Sequence, residues 1–185
     1  MRFNWVLASQ YTHCDDIDWQ RIQNCAPTWA ALDSKRKLSA QNSVCSSGAA
    51  CLAALESAAF NSTNLYVPHD FWQQQGRPGK VRVFQGTPYP NIAGVDDIIA
   101  LHLAAAHSDI VLLLGFDFCL NTGPVDSRTA NSLQQYHGLL RSLIVNTPET
   151  QFVAIDQGQQ LASSYQNIAN LTCDTLQAVL TLIEQ

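Results

Sequence analysis

Five short segments of the chain read as strands, Phe3–Ala8, Asn64–Pro68, Lys80–Gln85, Asp109–Phe118 and Gln151–Asp156, and most are apolar throughout instead of alternating with polar residues. Such strands need cover on both faces, and helical patterns stand between them at 16–32, 48–60, 95–107, 129–146 and 174–184. Parallel strands need crossovers long enough for a helix, so the alternation predicts an α/β fold with a mainly parallel sheet of about five strands flanked by helices. Asp109–Phe118, the most apolar strand, is expected inside the sheet. Pro148 stops the fourth helix, and Asp174 is placed to cap the fifth, where Leu176, Val179, Leu180 and Ile183 form one apolar stripe. A helix-to-strand unit occurs twice, Ser47–Leu55 leading into Asn64–Phe71 and Val95–Ala106 leading into Asp109–Phe118. Alanine-rich helices let a sheet approach closely, so ordinary βαβ packing accounts for this, with a duplication as the alternative.

At 185 residues the chain has the size of one domain, 1–185, with a sizeable core. Hydrophobic residues at 46% and charged residues at 14% exclude disordered, collagenous and coiled-coil classes. The most loop-like stretch, 73–79, is a turn before the strand at Val81. No apolar run approaches the roughly 20 residues of a membrane helix, and the N-terminal residues read as a first strand, not a secretory leader. Cytoplasmic synthesis is therefore expected, with a host cytoplasm or a virion as the setting if the chain is phage-derived. The acceptor patterns at Asn61 and Asn170 matter only in a secreted chain.

Six dispersed cysteines, Cys14, Cys25, Cys45, Cys51, Cys119 and Cys173, form no closely spaced metal or redox pair, and reduced thiols are expected. Cys51, among Ala and Leu, reads as a small buried apolar residue. Charge is uneven. Residues 1–90 carry eight Lys/Arg against six Asp/Glu, whereas 91–185 carry two against nine, so neither half suits a nucleic-acid surface.

In open α/β sheets ligands sit beyond the carboxyl ends of the strands, which makes the polar residues after each apolar run the candidates. These include Ser9 and Gln10 after the first strand, Asn121 and Thr122 after the fourth, and Asp156 after the fifth. Asp117 stands out, because a carboxylate between Phe116 and Phe118 at the end of a buried strand is expected to lose solvation and need a partner, either a ligand or a helix amide. Gly115 before it permits close backbone approach. Ser47 and Gly48, at a helix start, offer amides to an anion, or a plain N-cap. His137 and Arg141, four apart on a helix, read either as an acid with an anion-binding partner or as a surface pair. His102 and His107 are five apart, outside the spacing of helical metal pairs. Phosphate-loop, dinucleotide and nucleophile-elbow patterns are absent from the sequence.

Leu113-Leu114-Gly115-Phe116-Asp117-Phe118, following an alanine-rich helix, resembles the corresponding segment of MptE-like 6-hydroxymethylpterin diphosphokinases and of bacterial family 42 sialyltransferases, and Ser47-Gly48-Ala49-Ala50 is similar to the helix start found there. The resemblance spans about a third of the chain. It implies a Rossmann-like domain and a transferase or ligand-binding role toward a nucleotide, nucleotide-sugar or similar phosphorylated small molecule, with Asp117 catalytic or metal-positioning. In those families a Gly-rich turn after the first strand holds the nucleotide, whereas Ala8-Ser9-Gln10-Tyr11 stands here. The acidic C-terminal half would repel a bare polyphosphate, so Mg²⁺ or Mn²⁺ at Asp117 is expected to bridge it. The alternative is a non-enzymatic interaction or phage virion subunit that keeps the fold, with a protein partner or self-assembly; the Gln- and Asn-rich, Lys-poor composition resembles tailed-phage proteins. No nucleic-acid or membrane partner is expected.

Overall fold

A computed structural model describes residues 1–8, 18–32, 40–56, 63–76, 79, 81–85, 92, 94–118, 127–155 and 161–184, the side chains of 127 and 128 excepted. In chain order the elements are β1 (Phe3–Leu7), α1 (Trp19–Cys25), β2 (Thr28–Ala31), β3 (Asn42–Val44), α2 (Gly48–Glu56), β4 (Asn64–Pro68), α3 (His69–Gln74), β5 (Arg82–Phe84), α4 (Val95–Ala105), β6 (Ile110–Leu114), α5 (Ser127–Val145), β7 (Gln151–Ile155), β8 (Leu171–Asp174) and α6 (Leu176–Ile183). The strands form one sheet in the order β5-β4-β3-β2-β1-β6-β7-β8, and every pairing is parallel.

β1 and β6 pair along their full length, from Phe3 opposite Ile110 to Leu7 opposite Leu114. Their apolar residues divide by parity, as the strand period of two requires. Val6, Val111 and Leu113 join Ile98, Leu101, Leu140 and Ile144 of α4 and α5 on one face, while Trp5, Leu7, Leu112 and Leu114 join Ile22, Val179 and Leu180 of α1 and α6 on the other. That double cover explains why these strands are apolar on both sides; burying each such Leu contributes about 1.5–3 kcal/mol. A third cluster, Cys45, Cys51, Leu65, Val67 and Phe71, fills the space between β3, β4, α2 and α3.

The α/β class, the parallel sheet and the interior place of β6 agree with the sequence reading, but the sheet has eight strands instead of about five. The expected helix 16–32 breaks. α1 stops at Cys25, Pro27 cannot donate within a helix, and Thr28–Ala31 becomes a fully buried strand. β3 and β8 are also additional; in β3, Asn42 and Ser43 are polar yet buried, with Asn42 Nδ2 donating to the Thr28 carbonyl at 3.3 Å. Asp174 ends β8, and the cap of α6 is Thr175, whose hydroxyl accepts from the Ala178 N–H at 3.3 Å. The expected stripe holds, with Val179 and Leu180 buried and Leu176 and Ile183 packed beside them. Asn170 is no surface acceptor: it is buried, and its amide donates to the carbonyls of Ile144, Thr147 and Thr150 at 2.9, 2.9 and 3.0 Å, tying the end of α5 to the start of β7. No helix among the described residues is long and apolar enough to cross a membrane.

Candidate functional site at the carboxyl edge of β1 and β6

Strand order reverses between β1 and β6: from β1 the chain proceeds outward through β2, β3, β4 and β5, and from β6 it proceeds the other way through β7 and β8. α1, which comes after β1, lies on one face of the sheet and α5, which comes after β6, on the other, the arrangement at which open α/β sheets place their ligands. The two strand ends are held together by the Ala8 N–H donating to the Leu114 carbonyl at 3.0 Å. Gly115 then turns the chain with φ at +82°, a left-handed conformation that favours glycine.

Phe116 and Phe118 fold inward beyond that turn, while Asp117 between them is exposed. The expectation that this carboxylate would be desolvated is thereby corrected, because alternation sends the two aromatic rings into the core and the acid outward. Phe118 meets the Tyr165 ring edge-on at 5.0 Å, and its carbonyl accepts from the Ala162 N–H at 2.9 Å, which lays the segment after β7 against this edge. Tyr165, itself buried, has its hydroxyl 2.8 Å from His137 Nδ1 and 3.3 Å from the His137 carbonyl. A single tautomer satisfies both contacts: Nδ1–H donates to the phenol oxygen, the phenol O–H donates to the carbonyl, and Nε2 is left as an acceptor.

His137 is half-buried, and burial holds its pKa below the ordinary imidazole value, opposed by the negative charge of Asp117. Burial raises the Tyr165 phenol, with the Asp117 charge adding to the rise and Arg141 opposing it. The expected His137–Arg141 surface pair is therefore not what forms: His137 turns to Tyr165, and Arg141 Nε donates to the Ser164 carbonyl at 3.1 Å. Gly94, ahead of α4, has φ at +79°, and a Cβ there would meet the Tyr136 ring at 2.9 Å, so this glycine lets α5 close on the start of α4.

Ser47 and Gly48 lie elsewhere along the same edge, after β3, with β2 and β1 between them and β6; three strand spacings place them about 14 Å to the side. The Ser47 carbonyl accepts the first helical bond of α2, from the Cys51 N–H at 2.9 Å, and the adjacent Ser46 N–H donates to Asp96 Oδ1 at 3.1 Å. An amide that an anion could have used is thus taken by a carboxylate. Ser9, Gln10, Asn121, Thr122 and Asp156 lie outside the described residues. Tyr165 carried no signal in the sequence, because it reaches His137 only through the tertiary fold. Among the described residues no three His, Cys, Asp or Glu side chains gather as a metal site.

A separate cleft of about 460 Å³ opens at the opposite, amino-terminal edge, lined in part by Arg2, Asn4, Trp29, Asn42 and His107. Three of its polar side chains are engaged within the protein, as Arg2 pairs with Asp109, Asn4 donates to the Ala104 carbonyl and Asn42 donates to the Thr28 carbonyl, while the buried Trp29 indole N–H has no hydrogen-bond partner among the described residues. Position relative to the strand reversal, not cleft size, makes the carboxyl edge the stronger candidate. No family model, curated protein or solved structure matches the chain.

Proposed function

We propose that the chain is a Rossmann-like ligand-binding or transferase domain that takes a nucleotide, nucleotide-sugar or similar phosphorylated small molecule at the carboxyl edge of β1 and β6. The observation that carries this reading is the grouping of Asp117 with the His137–Tyr165 pair beside the strand reversal. Asp117 is exposed, as a residue that reaches a ligand at that edge must be. One carboxylate together with ligand phosphates suits Mg²⁺ or Mn²⁺, which commonly bind through one or two protein carboxylates and keep their remaining positions for phosphate and water. When bound, that cation would neutralise phosphate charge. Tyr165 orients the His137 ring so that Nε2 can take a proton from an attacking hydroxyl, and the lowered pKa keeps that nitrogen unprotonated near neutral pH.

The test is a thermal-shift panel of nucleotides and nucleotide-sugars, each with and without Mg²⁺ or Mn²⁺. A shift is expected only with metal present, and Asp117→Asn should abolish it while leaving the ligand-free melting temperature nearly unchanged. A second reading, an interaction or virion subunit, rests on the Ala8-Ser9-Gln10-Tyr11 sequence in place of a glycine turn and on α2, whose Ala49, Ala50, Leu52 and Ala53 are exposed. A panel without any shift, together with stable self-assembly, would favour that reading.

A further inference from the structure

Away from this site, the fold brings two nucleophilic side chains together that stand six positions apart in the sequence. Cys45 is the first residue beyond β3, where its N–H donates to the Tyr66 carbonyl at 3.0 Å, and Cys51 sits in the first turn of α2. The Cys51 thiol donates to the Cys45 carbonyl at 3.3 Å, and the Cys45 thiol donates to the Ser47 carbonyl at 3.4 Å. Both are free thiols, buried beside Leu65, Val67 and Phe71, under a turn whose Ser47 and Gly48 are exposed. The neighbouring Cys51 thiol lowers the pKa of Cys45 against the effect of burial, whereas the Cys45 thiol and burial together hold Cys51 far above the usual thiol range. The pair therefore gives up its first proton at Cys45, which makes Cys45 the nucleophile and Cys51 the resolving thiol.

We propose that Cys45 and Cys51 are a peroxide-oxidisable dithiol that closes reversibly into a disulfide across the turn between β3 and α2. The Cys45 thiolate attacks one oxygen of hydrogen peroxide, the O–O bond breaks, and the departing hydroxide takes up a proton to leave as water, giving a sulfenic acid at Cys45. The Cys51 sulfur then attacks that sulfur, the S–O bond breaks, and the Cys51 proton leaves with the hydroxyl as a second water. Two thiols lose two electrons in all, and one peroxide becomes two waters. Closure brings the two sulfurs to about 2.05 Å, and the Cys51 thiol already lies 3.3 Å from the Cys45 carbonyl within one buried cluster. Cys25 makes an internal contrast, since burial and the Glu184 carboxylate both hold it as the neutral thiol.

Peptide mapping of the intact chain tests this directly. Tryptic cleavage after Lys37 and Lys80 yields a peptide in which Cys45 and Cys51 are the only cysteines. After peroxide treatment and alkylation in denaturant, that peptide should carry no alkyl group and run about 2 Da below its dithiol mass, and dithiothreitol should restore both alkylation sites. In Cys51→Ala the reaction should stop at a Cys45 sulfenic acid that dimedone traps. The proposal is overturned if both sites in the wild-type peptide stay alkylatable while other cysteines oxidise, if either joins a cysteine outside that peptide, or if Cys45 proceeds to the sulfonic acid without the cross-link. The wild-type map decides the matter even if Cys51→Ala fails to fold.

Discussion

Gly115 turns the chain out of β6 with φ at +82°, where a side chain costs about 1–2 kcal/mol. Gly115→Val should therefore lower the melting temperature by several degrees, given about 2–4 °C per kcal/mol for a chain of this size; an unchanged melting temperature would mean that the turn relaxes. The sequence reading attributed this glycine to close backbone approach; the left-handed backbone angle is a separate requirement for glycine at this position. His137 gives a pH dependence. Its folded pKa is lowered, so the unfolded chain binds the proton first: the stabilisation is complete above the unfolded value of about 6.5 and is lost as pH falls through the lower folded value. Urea unfolding of the wild type and His137→Gln through this range should give a steeper loss on acidification in the wild type. Parallel curves would show that His137 is not held neutral by the fold.

Among the elements, α5 and β7 are joined by a side chain instead of by packing alone. Asn170 donates to three carbonyls at that junction from a buried position, and Asn170→Ala would leave them short of donors at a cost of about 1–3 kcal/mol. Chemical denaturation should show a lower midpoint with little change in slope, since the surface exposed on unfolding is nearly the same. α6 depends on Thr175, whose hydroxyl caps the helix; Thr175→Ala should cost about 0.5–2 kcal/mol, whereas Asp174→Ala should not reproduce that loss through the cap. The comparison of the two variants in one melting experiment separates the observed cap from the one expected in the sequence.

Over the whole molecule, the sheet is a gradient from paired interior to open edges. β1 and β6 are flanked by strands on both sides and covered by helices on both faces, while β5 and β8 are terminal and β5 exposes Arg82 and Val83. Hydrogen exchange should consequently be slowest at the amides of Trp5, Leu7, Leu112 and Leu114 and faster in β5. Equal protection of β5 and β6 would contradict this order. The strand reversal between β1 and β6 also separates the carboxyl-edge site from the thiol pair beyond β3, so Asp117→Asn and peroxide oxidation are expected to act independently.

Much of the architecture was legible locally. The unbroken apolar runs in β1 and β6 required a sheet covered on both faces, the helical patterns between them required parallel crossovers, and Asp117 and Gly115 stood out by following the most apolar run. The short strands were hidden for a physical reason: β2 lies inside an apparent helical pattern, and the polar Asn42 and Ser43 of β3 become buried only because neighbouring strands and side chains satisfy their polar groups. Periodicity reports what a residue prefers to contact and not which distant residue supplies the contact. The sequence by itself determined the α/β class, the interior strand and the residues at its carboxyl end. Only the tertiary structure decided the position of the strand reversal, the pairing of His137 with Tyr165 and the approach of the Cys51 thiol to the Cys45 backbone, because each depends on how separate segments meet across the fold.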